Sequence, residues 1–301
     1  MNNLTNNLKT WTLMAALAGL LVFVGGLIGG QQGLVLALVF AVALNGFVYW
    51  KSDTLALRAN GARPLGPDEA PELRAIVSDL ARRMAIPQPK LYIVDRPEPN
   101  AFATGRDPEH AAVAVTTGLL QLMNEREVRG VLAHELSHVV NRDTLIGTIA
   151  ATIAGAVSFL AQMAQFQLLF GGGRDDEGGG GNALGALAAI ILAPLAALII
   201  QLAVSRGREY AADSTGAQAT GDPEGLASAL ERLDAASRQS GLFARIRGRG
   251  RAPAPAENPA FAHLFIVNPL SGRQVAGLFA THPPIQDRVA RLRRMRLARA
   301  A

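Results

Sequence analysis

The stretch HELSH, residues 134–138, contains side chains that could bind a metal ion and activate water. His134 and His138 are four residues apart, so on a helix both imidazoles lie on one face and can bind the same ion. Glu135 stands next to His134, and the pattern H-E-x-x-H is typical of zinc sites with a glutamate as general base. Because the chain has no cysteine, the remaining ligand must be a histidine or a carboxylate. An open zinc site usually takes three protein ligands, so one more is required.

The residues around this motif predict the helix that positions it. The segment EREVRGVLAHELSHVV, residues 125–140, places apolar residues at helical spacing, which indicates one buried face. A core helix with two solvated histidines is the alternative interpretation. The apolar residues of this face are Val128, Val131, Leu132, Leu136 and Val139.

The third ligand has several candidates in the second half of the chain. Glu209 and Asp213 lie in the stretch SRGREYAAD, residues 205–213, and share one helix face. They differ from the other candidates because their stretch follows an apolar helix without a helix-breaking residue. The other downstream candidates are Glu224, Glu231, Asp234, His263 and His282.

The composition indicates a membrane protein. Half of the 301 residues are hydrophobic and only 18% are charged. Four apolar stretches carry no charge and are long enough to predict four membrane spans, although buried core helices are the alternative. These stretches are residues 11–30, 34–50, 145–170 and 183–204.

The basic residues predict how the chain is oriented in the membrane. All lysines and arginines except Arg174 fall in the segments that four spans would place on one side. The positive-inside rule then puts both termini and residues 51–144 in the cytoplasm. We expect the cell (inner) membrane as the location. The net charge of +5 fits an anionic lipid surface, against which the basic residues 288–299 would lie as a helix. We expect no nucleic acid as a partner, since no such motif is present.

The predicted fold is mainly helical with a small β-sheet. Residues 1–50 form an N-terminal membrane hairpin and residues 145–204 form a second one. Residues 51–144 and 205–301 form the two cytoplasmic parts of one domain. Within these parts we predict helices at 66–86, 117–123, 126–140, 221–237 and 282–300, and strands at 90–95 and 111–118.

Four motifs in this order resemble those of a known family. They are NAFATG at 100–105, HELSH at 134–138, SRGREYAAD at 205–213 and HPPIQDR at 282–288. The chain resembles the HtpX-type membrane zinc endopeptidases, relatives of the CAAX prenyl endopeptidases, along nearly its whole length.

The resemblance implies a zincin-like metalloprotease domain interrupted by a membrane hairpin. His134, His138 and Glu209 would bind one zinc ion per chain, and Glu135 would be the catalytic base. Asp213 would accept the free N–H of a ligand imidazole. Asn141 is a further candidate for such a contact, although a cap at the end of the motif helix is the favoured interpretation for it and for Asp143.

The other two motifs supply candidate substrate contacts. NAFATG is suited to an edge strand to which a peptide can add, with a plain turn and strand as the alternative. The resemblance implies that His282 and Arg288 stabilise the oxyanion, with a helix start and a solvated arginine as the alternative. The residues predicted to contact substrate are Asn100, Ala101, Phe102, Ala103, Thr104 and Gly105.

The function implied by the resemblance is quality control. The enzyme would cut damaged or misfolded membrane proteins in their cytoplasmic segments. A catalytically silent membrane scaffold with a structural zinc ion is one alternative. An intramembrane protease is another, but charged residues flank HELSH on both sides.

Overall fold

The computed structural model describes residues 3–146, 149, 206–246 and 283–300. The helices are α1 (Asn3–Ala59), α2 (Pro71–Arg83), α3 (Thr117–Leu122), α4 (Glu125–Val140), α5 (Arg206–Thr220), α6 (Pro223–Ile246) and α7 (Ile285–Ala300). The strands are β1 (Arg63–Pro64), β2 (Lys90–Val94), β3 (Ala101–Thr104) and β4 (Ala112–Thr116). The described part of the chain is therefore mainly helical with a small sheet, as the sequence predicted.

Helix α1 folds back on itself near Gly30, whose φ is +56°. The side-chain amide of Asn45 donates a hydrogen bond of 3.0 Å to the carbonyl of Met14. The rings of Trp11 and Tyr49 stack with centroids 6.5 Å apart. In a straight helix, residues 14 and 45 would be about 46 Å apart. The helix therefore forms two antiparallel arms joined at Gly30.

The two arms contain the first two predicted membrane spans. Among the described residues, the segment Gly30–Ala59 is long and apolar enough to cross a membrane, and Thr10–Phe23 is a shorter apolar stretch. The predicted spans 145–170 and 183–204 lie outside the described residues, apart from residues 145, 146 and 149. Large apolar side chains exposed on the second arm include Leu34, Val35, Leu36, Leu38, Val39, Phe40, Val42 and Phe47.

The sheet has four strands in the order β1-β2-β4-β3. Strands β2 and β4 are parallel, whereas β1 and β3 pair antiparallel with their neighbours. β3 is thus an edge strand of the described sheet, as predicted for the NAFATG segment. Strand β4 ends at Thr116, whose hydroxyl accepts a hydrogen bond from the N–H of Leu119 and caps α3.

Three predicted helices have different ends in the structure. α2 begins at Pro71 because Ala70 adopts a left-handed conformation with φ +45°. α6 continues to Ile246, well beyond the predicted end at 237. α7 begins at Ile285 because two prolines precede it and cannot donate helical hydrogen bonds.

Helix α4 lies in the centre of the core and carries the HELSH motif. Its apolar face packs with α2, the sheet and α6, as the periodicity predicted. Its first turn is fixed by a capping box in which Asn124 and Glu127 each accept a backbone hydrogen bond from the other residue. The buried carboxylate of Glu127 also accepts from Ser228 and Arg232 of α6. A local capping box and one element distant in sequence, α6, therefore hold the start of α4.

Helices α4 and α6 approach each other closely at Gly130. A Cβ atom at this position would lie 2.6 Å from the backbone nitrogen of Leu226. We therefore expect Gly130→Ala to destabilise the fold by about 1–3 kcal/mol, the usual cost of an overpacked core.

The measurement is the midpoint of thermal unfolding of the purified chain in detergent. Gly46→Ala is the matched control, because a Cβ atom at Gly46 would have no neighbour within 4 Å. An unchanged midpoint in Gly130→Ala would show that the two helices do not pack as described.

Candidate metal centre

Three donor atoms from α4 and α5 converge at one point. The Nε2 atoms of His134 and His138 lie 3.3 Å apart. The carboxylate of Glu209 lies 3.5 Å from the Nε2 of His134 and 3.8 Å from that of His138. These three residues form a group that could hold a metal ion.

One face of α5 brings Glu209 to this point. Asp213 and Gly216 follow Glu209 at spacings of four and seven and lie on the same face. A Cβ atom at Gly216 would lie 3.0 Å from the carbonyl carbon of Ala133 and from the backbone nitrogen of His134. The glycine therefore allows α5 to pack tightly against the motif helix.

A carboxylate holds each imidazole on the side away from the group. The Nδ1 of His134 lies 3.0 Å from Asp213 Oδ1, and the Nδ1 of His138 lies 3.0 Å from Asp143 Oδ1. An ionised carboxylate only accepts hydrogen bonds, so both Nδ1 atoms must donate. When the imidazoles are neutral, both Nε2 atoms then keep their lone pairs, 3.3 Å apart at the point where the three donors converge.

The donor spacing fits a zinc ion. Two nitrogens at the usual zinc distance of about 2.0–2.1 Å are about 3.3–3.4 Å apart in a tetrahedral site. The two Nε2 atoms are separated by 3.3 Å. Among the described residues the group has three donors and no fourth, which is the ligand count of an open site.

The buried charges around the group also favour a cation. Four buried carboxylates stand against two buried guanidinium groups, so two negative charges are uncompensated while the histidines are neutral. A divalent ion balances them, and buried charge needs such compensation. The carboxylates are Glu135, Asp143, Glu209 and Asp213, and the guanidinium groups are Arg208 and Arg288.

The pKa of His138 reflects the same demand for positive charge. Burial lowers the pKa of this imidazole, but the carboxylates of Asp143 and Glu209 outweigh burial and raise it to about 10. A metal ion bound at this point would therefore take the place of bound protons.

Glu135 is buried beside the ligand group and is held by the edge strand. Its Oε2 accepts a hydrogen bond of 3.2 Å from the backbone N–H of Ala103 in β3. Burial raises the pKa of the Glu135 carboxyl, and the neighbouring histidines oppose this rise. A raised pKa makes this carboxylate a stronger base for taking up a proton.

Arg288 lies behind His134 and is completely buried. Its Nε and Nη2 donate hydrogen bonds of 2.9 and 2.7 Å to Asp213. Its Nη1 lies 3.8 Å from Glu209 Oε2 and has no hydrogen-bond partner among the described residues. The guanidinium therefore links α7 to the ligand-bearing face of α5, a contact that the solvated-arginine alternative does not explain.

The contact that His138 makes through Nδ1 goes to Asp143. Sequence reasoning favoured a capping role for this residue and named Asn141 for such a contact. Asn141 is the C-cap residue of α4 and is partly exposed. A carboxylate five residues after the second histidine was the available signal. Arg142, between His138 and Asp143, has a left-handed conformation with φ +54° and turns the chain there. Helical periodicity does not predict this turn.

Asp143→Ala is expected to weaken zinc binding by about 10–100-fold, the usual effect of losing a carboxylate that orients a ligand histidine. Asp143→Asn should lose less, because its amide oxygen still accepts from His138 Nδ1. The measurement is the zinc dissociation constant from competition with a chromophoric chelator. Equal affinity in wild type and Asp143→Ala would show that this contact does not support the ligand.

The remaining predicted residues are placed as follows. Three other ligand candidates of the second half pair with arginines instead: Glu224 and Glu231 contact Arg293, and Asp234 contacts Arg238. His263 and His282 lie outside the described residues. The predicted substrate-contacting residues Asn100, Ala101, Phe102, Ala103, Thr104 and Gly105 are all buried, and of these Ala103 contacts the site through Glu135.

Comparison with known proteins identifies the family. The profile of peptidase family M48 matches residues 67–296. A protease HtpX homolog from Desulforapulum autotrophicum is 50% identical over 289 residues, which are 96% of this chain and 89% of the relative. A protease HtpX homolog from Pelotomaculum thermopropionicum is 52% identical over 291 residues, which are 96% of this chain and 99% of the relative.

One solved structure is also similar. The crystal structure of S. mikatae Ste24p has a TM-score of 0.49 and 19% identity, and the match covers 96% of this chain and 66% of that chain. The family profile and the two relatives confirm the resemblance inferred from the four motifs. The chain belongs to peptidase family M48 and is a metallopeptidase.

Proposed function

We propose that this protein is a zinc-dependent membrane endopeptidase that cuts cytoplasmic segments of damaged or misfolded membrane proteins. The observation that carries the proposal is the convergence of His134, His138 and Glu209 beside a buried glutamate. His134, His138 and Glu209 would hold one zinc ion, and Asp213 and Asp143 would orient the two imidazoles. A silent scaffold with a structural zinc ion would need no glutamate at position 135.

The residues of the chain divide the chemistry between them. When bound, zinc supplies Lewis acidity for a carbonyl group and for water. Glu135 takes a proton from the attacking water and returns it to the leaving amine. Its position next to His134 puts the carboxylate near the ligand group without making it a ligand.

Strand β3 would hold the substrate in an extended conformation. Adding a peptide to a sheet edge uses main-chain hydrogen bonds and therefore accepts many sequences. In an antiparallel pair, the main-chain groups of successive residues point alternately toward the partner strand and away from it. The N–H of Ala103 donates to Glu135, so Ala101 and Ala103 present their main-chain groups away from β4. The proposed substrate-binding segment of the enzyme is Asn100–Gly105, and Ala101 and Ala103 are its pairing positions.

Arg288 would serve both the ligands and the oxyanion. Two of its nitrogens hold Asp213 against His134, and its Nη1 remains available for developing negative charge. His282 would supply the second donor, as the family resemblance implies. Preorganised donors of this kind stabilise the tetrahedral transition state of acyl transfer.

The proposed topology has four spans at residues 11–30, 34–50, 145–170 and 183–204. The two cytoplasmic parts, 51–144 and 205–301, would form one domain on the cytoplasmic side of the inner membrane. The exposed apolar side chains of α1 support a lipid-facing role for its arms. The basic face of α7 would lie near anionic lipid.

A single-cysteine labelling experiment tests the orientation. The native chain has no cysteine, so one introduced thiol is the only reactive one. A cysteine at position 179, in the loop between the last two proposed spans, should react with an impermeant maleimide in intact cells. A cysteine replacing the exposed Gln121 should react only after lysis. The reverse pattern would place the active site on the other side of the membrane.

The proteolytic activity itself is tested by digestion of an unfolded soluble protein with the purified, zinc-loaded chain. We expect fragments without chelator and none with chelator. Fragments formed at equal rates in both samples would contradict a metal-dependent peptidase. Absence of fragments from a fully zinc-loaded chain would favour the scaffold.

A further inference from the structure

The end of strand β3 lies beside aromatic residues of α1. The guanidinium carbon of Arg106 is 4.7 Å from the centre of the Trp50 ring. Tyr49 contacts both Trp11 and Trp50, and the two tryptophans are 62% and 60% exposed. Exposed tryptophans and tyrosines at the end of an apolar helix are typical of the membrane–water interface. We name Trp11, Tyr49, Trp50 and Arg106 the interfacial collar.

Strand β3 runs toward this collar. Phe102 packs in one cluster with Ala56 and Leu57 of α1. Those two residues lie about 9–11 Å beyond Trp50 along the helix axis. Arg106, four residues after Phe102, reaches Trp50 itself. The strand is therefore antiparallel to this arm of α1 and descends toward the proposed bilayer.

A second contact joins the end of β3 to the residue that precedes the next apolar segment. The hydroxyl of Thr144 donates a hydrogen bond of 2.9 Å to the carbonyl of Gly105. Leu145 and Ile146 follow directly and are buried in the cluster formed with the arms of α1. The end of β3 therefore lies beside both the arms of α1 and the described residues that start the next apolar segment.

The proposed catalytic glutamate, Glu135, lies close to the interfacial collar. Ala103 donates to Glu135, and Arg106 is the third residue after Ala103. Three extended residues span at most about 11 Å. With the 3.2 Å hydrogen bond added, the carboxylate that accepts the proton is therefore no more than about 14 Å from the backbone of Arg106 in the collar.

The direction of β3 determines which substrate segments can pair with it. Antiparallel pairing is the stronger arrangement per residue, and β3 already uses it with β4. A peptide paired antiparallel to β3 has its N-terminal side at the collar and its C-terminal side away from the membrane. That polarity belongs to a segment that leaves the bilayer after a membrane span.

We infer that the enzyme selects unstructured segments that directly follow a membrane span of the substrate and cuts them at a fixed short distance from the bilayer. This inference rests on the proposed function and on peptide addition to β3. The distance from collar to Glu135, plus the headgroup layer, corresponds to about three to eight extended residues.

The test uses two single-span substrates that are reconstituted with the full-length enzyme in vesicles. Both carry the same unstructured tail, in one case after the span and in the other case before it. A third substrate carries the tail after the span, with ten additional polar residues inserted next to the bilayer. Mass spectrometry of the fragments gives the cut positions and the rates.

The tail after the span should be cut at least about tenfold faster than the tail before the span, which is a difference of about 1.4 kcal/mol in the activation free energy. In the third substrate the cuts should stay at the same distance from the span and move to different sequence. Equal rates for the two tails, faster cutting of the tail before the span, or cuts that follow the sequence would overturn the inference. Loss of all hydrolysis, including that of an unfolded soluble protein, would instead overturn the proposed function.

Discussion

Glu135→Gln is expected to reduce peptide hydrolysis by about 10²–10⁴-fold, the range for loss of a general base, while zinc binding stays intact. The amide keeps the size of the side chain, and its oxygen can still accept the hydrogen bond from Ala103. The substitution removes only the ability to take up a proton. The effect should therefore appear in kcat and not in the thermal midpoint.

The measurement is the rate of fragment formation from an unfolded protein, with zinc content determined on the same sample. Glu125→Gln is the matched control, because Glu125 lies exposed in the first turn of the same helix. We expect the control to keep wild-type rate and zinc content. Wild-type hydrolysis in Glu135→Gln with one bound zinc would refute the assignment of the base.

Glu209→Gln is expected to weaken zinc binding by more than about 100-fold, beyond the effect of losing an outer hydrogen-bond partner. The carboxylate supplies one of the three donors and also one of the buried negative charges that favour a cation. An amide oxygen is a poorer zinc ligand and carries no charge. Hydrolysis should fall in proportion to the zinc lost.

Adding zinc distinguishes the loss of the base in Glu135→Gln from the loss of a ligand in Glu209→Gln. Raised zinc concentrations should restore part of the activity of Glu209→Gln and none of that of Glu135→Gln. Gln218→Ala is the control on α5, since Gln218 is exposed on that helix. Tight stoichiometric zinc in Glu209→Gln would show that another residue completes the ligand set.

Local patterns predicted the motif helix and its partner. The apolar periodicity of 125–140 placed HELSH on a buried helix, and α4 spans Glu125–Val140. The spacing of Glu209 and Asp213 predicted one shared face, and both contact His134 across the site. Spacing within a helix is a local property, so the sequence carries it directly.

Contacts between distant elements were harder to predict. No periodicity relates Arg288 to Asp213 or brings the N–H of Ala103 to Glu135. These contacts depend on how closely helices pack, and Gly130 and Gly216 permit that approach without any local signal. The identity of Asp143 as the partner of His138 depends on the left-handed turn before it.

Zinc titration of the metal-free chain tests the central claim most directly. Chelator-treated protein is supplied with known amounts of zinc, and hydrolysis of an unfolded protein is measured at each step. Three donors forming a single site predict no activity without zinc, a linear rise, and a plateau at one zinc ion per chain. Hydrolysis by the metal-free chain, or a plateau only at two or more ions per chain, would contradict the account.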